Sequence, residues 1–179
     1  MEFKETPLEG AYLVDLEPHR DERGFFARTY APEDFRGLGL EVPALDQSSI
    51  AYNERGATLR GMHYQAPPHA EHKLVRCTAG RIFDVIVDLR QGLPSWHRWY
   101  GVELSAANRT ALYIPPGMAH GYITLCDESE VYYMIGGSYA PEHARGVRWS
   151  DPVFAIDWPL EPKVMAARDA GYPLLRADP

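Results

Sequence analysis

Alternation of apolar and polar residues is the main structural signal in this chain. It is clearest over residues 81–90, where four apolar side chains share one face of an extended segment: Phe83, Val85, Val87 and Leu89. Asp84 and Asp88 fall on the other face, because successive side chains of a β-strand point to opposite sides. This segment is therefore predicted to be a strand with carboxylates on one face.

Short runs of the same kind occur along much of the chain. They are bounded by turn residues, as strands usually are, and they cover residues 73–78, 99–105, 111–114, 121–125 and 131–134. Ala79-Gly80 is a break of hairpin size between the first of these runs and residues 81–90. Helical pattern is limited to residues 31–35 and 162–170. Several short strands at near-regular spacing favour a barrel or a jelly roll.

Composition narrows the class of protein. The 179 residues show no linker or repeat and are long enough for a substantial core, so residues 1–179 are predicted to form a single domain. With 18 basic and 25 acidic residues, a net charge of −7 and no block of like charge, neither a nucleic-acid nor a membrane partner is expected. The absence of an apolar signal core predicts a cytoplasmic protein. Cys77 and Cys126 fit no zinc or disulfide spacing and are interpreted as core residues.

Two segments place a histidine beside a glycine, residues 59–65 and 115–122. A metal-binding cupin barrel usually offers a His-x-His pair on one strand, whereas here His63 is followed two positions later by Gln65. The later Pro-x-Gly-x-x-His pattern is intact and ends at His120. Because a principal ligand is replaced, we expect no metal in this lumen. A metal-dependent cupin oxygenase is kept as an alternative that rests on the two histidines.

Further motifs make the chain resemble the dTDP-4-dehydrorhamnose 3,5-epimerase family. They follow the family order from residue 23 to the Arg168-Asp169 stretch: Arg23-Gly24-Phe25-Phe26, residues 59–65, Lys73-Leu74-Val75, residues 83–90, residues 114–121 and Tyr139-Ala140-Pro141-Glu142. The resemblance implies an all-β fold of the cupin type, a double-stranded β-helix or jelly-roll barrel with a few short peripheral helices. It also implies an isomerase without a cofactor that acts on a nucleotide-diphosphate sugar and assembles as a homodimer.

The reaction implied by this resemblance inverts C3, C5 or both in a nucleotide-linked 4-keto-6-deoxyhexose. The ketone acidifies the neighbouring C–H bonds, so the reaction needs a base, an acid on the opposite face and a cation near the enolate oxygen. By family match His63 is the base, held by Asp169, and Tyr133 is the acid, since a phenol with a pKa of about 10 is protonated at neutral pH. Lys73 is the candidate cation.

Each of these residues also has a purely structural interpretation. His63 could be a core histidine bonded to backbone, and Tyr133 could form an aromatic core pair with Tyr132. Because neighbouring strand residues face opposite ways, an alignment slip of one residue would exchange the two tyrosines. Lys73 could be a solvated lysine on an edge strand, although the chain has only three lysines, Lys4, Lys73 and Lys163.

The resemblance also implies a set of substrate-binding residues. They are Arg23, Arg28, Gln47, Arg60, His120, Tyr139 and Arg168. Guanidinium groups suit phosphate because they can donate two parallel hydrogen bonds. Tyr139 resembles the residue that stacks on the nucleotide base.

The chain departs from the family pattern at three positions. Arg28 and Ala144 stand where better-known members have glutamate, and Met134 stands where they have lysine. These changes motivate a second alternative, a nucleotide-sugar-binding cupin without turnover. Residues 10–16 alternate well enough to add a strand to a neighbour's sheet, which would bring Arg23 and Arg28 to the active site of a partner in a homodimer.

Overall fold

Two antiparallel sheets pack face to face around one apolar core. The structure is a computed structural model that describes residues 1–40 and 45–175. Its fold confirms the all-β, cupin-type jelly roll that the sequence predicts. Within these two ranges no helix has the length and apolar character needed to cross a membrane.

The secondary structure consists mostly of short strands. They are β1 (Glu2–Glu5), β2 (Tyr12–Asp15), β3 (His19–Asp21), β4 (Gly24–Phe26), β5 (Leu45–Asn53), β6 (Thr58–Gln65), β7 (His72–Ala79), β8 (Arg81–Asp88), β9 (Trp99–Ser105), β10 (Ala111–Ile114), β11 (Met118–Thr124), β12 (Ser129–Gly136), β13 (Ala144–Gly146) and β14 (Val164–Met165). The helices are α1 (Pro32–Arg36), α2 (Ala167–Ala170) and one 3-10 turn, Pro141–His143.

Consecutive strands cross from one sheet to the other from β5 to β8 and again from β9 to β13, so that neighbours within a sheet are mostly non-consecutive in the chain. The first sheet has the order β1-β2-β10-β7-β12-β5, and the second has the order β13-β6-β11-β8-β9. The short β14 adds to β6 in parallel, and β3 pairs with β4 in a separate hairpin.

Strand β8 shows the alternation that the sequence predicts. Asp84 and Asp88 lie on its inward face and are fully buried. Val85 and Val87 lie on the outward face, where the C-terminal segment covers them with Val147, Phe154 and neighbouring residues. The strand is therefore buried on both faces, and its carboxylates point into the interior.

The main core fills the space between the sheets. It combines residues of both, including Val75, Cys77, Leu112, Ile114 and Val131 from the first sheet and Ile82, Ile86, Leu104, Met118 and Tyr122 from the second. Cys77 is buried in this core as expected, whereas Cys126 is only half-buried, and both are free thiols.

The outer face of the first sheet is only partly covered. Phe35 of α1 packs on Leu74 and Tyr113 in a second apolar cluster. Near the β5 edge, Ile50 is 61% exposed and Tyr52 is 49% exposed. This end of the sheet therefore presents apolar side chains to solvent.

Most predicted strands occur where the pattern placed them. Residues 99–105 and 111–114 form β9 and β10 with the predicted bounds, while β7, β11 and β12 are longer than predicted. The helix expected at residues 31–35 is α1, displaced by one residue.

The helix predicted at residues 162–170 is largely wrong. Val164 and Met165 pair in parallel with Thr58 and Leu59 of β6, and helix forms only over α2. The backbone of this segment is extended because its hydrogen bonds go to β6, a partner about a hundred residues away that local pattern does not reveal.

The idea that residues 10–16 add a strand to a neighbour's sheet is also wrong. Strand β2 lies between β1 and β10 of its own sheet, so both of its edges are already paired.

A close approach of two backbones shapes β6. Gly61 has φ +137°, and a Cβ added there would lie 2.5 Å from the Cα of Gly121 on β11. The register between β6 and β11 shifts at this point, between the pair His63–His120 and the pair Arg60–Tyr122. Only glycine allows this bulge, because any side chain would meet backbone atoms.

We expect Gly61→Ala to destabilise the protein by about 3 kcal/mol or more, because the new Cβ overlaps backbone and the conformation is strained. Urea unfolding followed by circular dichroism measures the change. Gly37→Ala is the control, since Gly37 has φ −59° and an added Cβ would meet its nearest atoms at 3.4 Å. Equal stability of the two variants would contradict the expectation.

Candidate active site

A histidine–aspartate pair lies at the edge of the lumen. His63 on β6 donates from Nε2 to Oδ1 of Asp169 on α2 over 2.7 Å. The N–H of Gly61 donates to the other oxygen of Asp169 over 3.0 Å. A carboxylate that accepts from Nε2 fixes the proton on that nitrogen, which leaves the Nδ1 lone pair of His63 free to act as a base.

The two members of this pair differ in exposure. The side chain of Asp169 is 6% exposed, whereas that of His63 is 39% exposed. Burial raises the pKa of the Asp169 carboxyl, but the hydrogen bonds from His63 and Gly61 outweigh burial and hold the pKa below its ordinary value. Asp169 is therefore an anion at neutral pH, and His63 is reachable from the lumen.

A second histidine–aspartate pair lies deeper in the lumen. His120 on β11 donates from Nε2 to Oδ1 of Asp84 on β8 over 2.8 Å, and both side chains are buried. The other oxygen of Asp84 has no hydrogen-bond partner among the described residues. The sequence placed Asp84 on the carboxylate face of β8 but did not assign it to the site. A carboxylate on the inward face of a strand buried on both sides was the signal that could have identified it.

Tyr133 lies inside the barrel on the first sheet. It packs against the core between the sheets, and its ring meets the His120 ring edge to face, with 5.9 Å between centroids. Burial, with contributions from Tyr122 and Asp84, raises the pKa of Tyr133 well above its ordinary value of 10.0. The hydroxyl group therefore remains protonated at neutral pH.

Tyr132 faces the opposite way. It pairs with Ile50 of β5 and with Arg76 of β7, on the outer face of the first sheet. The ambiguity between the two tyrosines is thereby resolved, because only Tyr133 faces the lumen.

Lys73 is buried in the interior rather than solvated on an edge strand. Its strand, β7, lies between β10 and β12. The Lys73 ammonium is 2.8 Å from a carboxylate oxygen of Glu71 and 3.4 Å from the carbonyl oxygen of His63. Sequence reasoning missed Glu71, which precedes β7 and whose proximity depends on the local turn. The Lys73 ammonium, neutralised by Glu71, therefore lies beside the His63 backbone.

Arg60 lies near the open edge between β5 and β6. Its Nε donates to Asn53 over 2.8 Å, and a second nitrogen donates to the Tyr52 carbonyl oxygen over 3.1 Å. Asn53 is buried and also donates to the Tyr122 hydroxyl group over 3.1 Å. These bonds hold the Arg60 guanidinium in place while the residue remains exposed.

Three further candidates lie at the mouth of the barrel or on its rim. Gln47 on β5 donates to the carbonyl oxygen of Gly137, which directly follows β12. Tyr139 is two residues further and is 60% exposed. Arg168 donates to the hydroxyl group of Tyr172, whose ring lies edge to face with His63 at 6.1 Å. Tyr172 is therefore a rim residue that sequence reasoning missed.

Arg23 and Arg28 do not join this cluster within the chain. Arg23 pairs with Asp21 in the β3–β4 hairpin, and Arg28 pairs with Glu33. The β3–β4 hairpin lies beside Asp15 and Thr110, next to one end of β10. Lys73 pairs with the other end of β10. Both arginines are exposed and are available to another molecule.

Two departures from the family pattern have a structural setting. Met134 packs in the apolar cluster around Phe35 on the outer face of the first sheet, away from the lumen. Ala144 begins β13 and pairs with Gln65. Met134 therefore contributes to packing outside the site, whereas Ala144 lies on the rim.

Comparison with known proteins identifies relatives over most of the chain. Residues 5–177 match the family model described as dTDP-4-dehydrorhamnose 3,5-epimerase. The chain is 41% identical over 180 residues to the dTDP-4-dehydrorhamnose 3,5-epimerase of Methanothermobacter thermautotrophicus, covering 99% of this chain and 96% of the relative.

Solved structures show the same similarity. A crystal structure of dTDP-4-dehydrorhamnose 3,5-epimerase from Elizabethkingia anophelis superposes with a TM-score of 0.94 at 34% identity, covering 98% of this chain and 97% of the other. The dTDP-6-deoxy-D-glucose-3,5-epimerase of Legionella pneumophila, solved in complex with dTDP-4-keto-L-rhamnose, has a TM-score of 0.89 at 34% identity and covers 97% and 92%.

The lowered pKa of Asp169 predicts a pH-dependent stability difference. Above the unfolded pKa of about 3.9 the ionised carboxylate stabilises the fold in full, and this contribution is lost as the pH falls through the lower folded value. We expect Asp169→Asn to cost about 2 kcal/mol at pH 7 and progressively less below pH 4. Urea unfolding at several pH values measures this difference, with Asp157→Asn on an exposed carboxylate as control. A cost that is the same at pH 3 and pH 7 would argue against it.

Proposed function

Because the chain belongs to the dTDP-4-dehydrorhamnose 3,5-epimerase family, we propose that it inverts C3 and C5 of a dTDP-linked 4-keto-6-deoxyhexose through an enolate. The observation that carries this proposal is the His63–Asp169 pair, exposed to a lumen whose other wall presents Tyr133. A base and an acid on opposite walls are what inversion at carbon requires.

The proposed reaction begins with proton removal at the carbon next to the ketone. The free Nδ1 of His63 takes the proton, the C–H electron pair forms the carbon–carbon double bond of the enolate, and the carbonyl electrons move to oxygen. Asp169 stabilises the imidazolium that forms, as a buried carboxylate does in other acid–base pairs. The Tyr133 hydroxyl group then delivers a proton to the opposite face of the carbon.

Lys73 is the group proposed to stabilise the enolate oxygen. Its ammonium lies beside the His63 backbone, and its side chain is only 9% exposed. In such a low-dielectric setting a fixed cation interacts with developing negative charge much more strongly than it would in water. Glu71 holds this ammonium before substrate arrives.

Binding of the nucleotide sugar is assigned to residues near the mouth and rim and to His120, which lies deeper in the lumen. Arg60 and Arg168 are exposed guanidinium groups that suit the diphosphate, and Gln47 and His120 offer hydrogen bonds to the sugar. Tyr139 is exposed and suits stacking on the base.

Solvent exchange tests the catalytic assignment. With dTDP-4-keto-6-deoxyglucose in deuterium oxide, we expect wild-type protein to introduce deuterium at C3 and C5 with inversion, and His63→Ala to slow the exchange by about 10²–10⁴-fold. Tyr133→Phe should still exchange deuterium, because His63 can return a deuteron to the same face, but it should not invert the carbon. NMR of the product measures both.

Tyr132→Phe is the matched control, since Tyr132 faces outward, and it should retain both exchange and inversion. Tight binding without any exchange by the wild-type protein would favour the binding protein without turnover and reject the proposed reaction. Exchange at one carbon only would restrict the activity to mono-epimerisation.

We also propose that the protein acts as a homodimer. Strand β5 is an outer strand of the first sheet, and its residues Ile50 and Tyr52 expose apolar surface. Such an edge and face are suited to a second copy of the chain. We further propose that Arg23 and Arg28, which have no role in their own lumen, reach the active site of the partner.

Mixing two inactive variants tests the shared site. Arg23→Ala and His63→Ala should each have low activity, whereas equal mixing should restore about a quarter of wild-type activity, because one site in each mixed dimer has both residues. No restoration after subunit exchange would reject the shared site.

Light scattering of Ile50→Glu tests the interface, and we expect monomers at micromolar concentration. Val153→Glu, which changes an exposed apolar residue on the C-terminal segment, should leave the dimer intact. Wild-type protein that is itself monomeric at this concentration would reject the dimer.

The cytoplasmic location and the single domain over residues 1–179 remain predictions.

A further inference from the structure

A cluster of metal-ligating side chains lies on the rim, outside the lumen. His69, Glu142 and His143 each offer one ligand atom, and these atoms lie within 4.8 Å of one another. The rings of the two histidines are 4.5 Å apart between centroids. None of the three is used in the proposed reaction.

Hydrogen bonds from the Gln65 side-chain amide and from the backbone hold the two loops of this cluster together. Gln65 donates to the His69 carbonyl oxygen over 3.0 Å and accepts from the Ala140 N–H over 2.7 Å. The N–H of Ala66 donates to the His143 carbonyl oxygen over 2.9 Å. The residue that replaces a cupin metal ligand thus fixes the spacing of the two histidine-bearing loops.

The guanidinium of the neighbouring Arg145 does not form an ion pair with the Glu142 carboxylate. The Arg145 guanidinium donates to the carbonyl oxygens of Glu142 and Ala144 over 2.7 Å and 3.0 Å. Glu142 and His69 are exposed, and His143 is half-exposed, so their side chains are free to rotate toward a common point.

We propose that His69, Glu142 and His143 bind one divalent transition-metal ion of the zinc class. Two imidazoles and one carboxylate form a recognised zinc ligand set, with water completing a tetrahedron. Bonds of about 2.0–2.1 Å place tetrahedral ligands about 3.4 Å apart, so the atoms need to close by up to about 1.4 Å, within the reach of side-chain rotation. The ion joins the loop after β6 to the 3-10 turn Pro141–His143.

Because of its position, an ion bound at this site affects substrate binding. This step rests on the proposed function. The 3-10 turn follows Tyr139 by one residue, so an ion that immobilises the turn also orders the segment assigned to the nucleotide base. Ordering before binding reduces the entropy lost on binding, and the metal-loaded protein should therefore have a lower KM with little change in kcat.

Calorimetric titration of the untagged, chelator-treated protein with zinc chloride tests the site directly. We expect one ion per chain with a dissociation constant in the micromolar range, and a rise in melting temperature of a few degrees in excess zinc. His69→Ala and His143→Ala should each weaken binding by about 100-fold or more. Cobalt(II) should give the intense visible bands of a tetrahedral site in wild-type protein and in neither cluster variant.

His19→Ala is the control, because His19 is exposed on β3 in the hairpin and lies outside the cluster. It should bind zinc as the wild-type protein does. Absence of stoichiometric binding, or binding that survives in both cluster variants, would overturn the metal site. Because the titration contains no substrate, its result is independent of whether the protein is an epimerase. Binding with an unchanged KM would overturn the role in substrate binding alone.

Discussion

At Gly61 the backbone of β6 approaches β11 so closely that an added Cβ would lie 2.5 Å from the Cα of Gly121. This contact sets the register that places His63 beside His120 and Arg60 beside Tyr122. It also turns the Gly61 N–H toward Asp169, whose carboxylate holds His63. This one backbone contact fixes the positions of His63, Arg60 and the Asp169 carboxylate. The geometry of the site therefore depends on position 61 having no side chain.

The lumen contains several groups that can carry charge, and each has its own partner. His63 is paired with Asp169, His120 with Asp84, and Lys73 with Glu71. Burying an unpaired charge is costly, so this pairing allows a polar site within an otherwise apolar barrel. The same pairing fixes the orientation of each group before a ligand arrives, which favours the proposed reaction because its enolate carries transient charge.

Gln65 occupies the position where a metal-binding cupin has a second histidine. Its side-chain amide instead connects two segments of the rim. Through His69 and Ala140 it joins the loop after β6 to the segment that carries Tyr139. Gly136 is another position where a side chain would not fit, because an added Cβ would lie 1.9 Å from the His72 ring. The glycine thus makes room for a buried histidine next to Lys73.

Local sequence determined the parts of this protein that depend on neighbouring residues. The period of two over residues 81–90 determined which side chains of β8 share a face, and the scarcity of helical pattern determined the all-β class. Motif resemblance supplied the candidate residues His63, Tyr133 and Asp169. The order of motifs along the chain was enough to nominate His63 and Asp169, whereas the choice between Tyr133 and Tyr132 needed the structure, in which Tyr132 lies on the outer face.

Only the tertiary structure decided which of these residues meet and which partners they have. The hydrogen bond between His63 and Asp169 joins positions 106 residues apart, and the bond between His120 and Asp84 joins positions 36 apart. The backbone of residues 163–165 hydrogen-bonds and pairs with residues 57–59, although the local sequence pattern is helical. Local pattern specifies which way a side chain faces, whereas contacts between distant strands depend on sheet order and register, which the whole chain sets together.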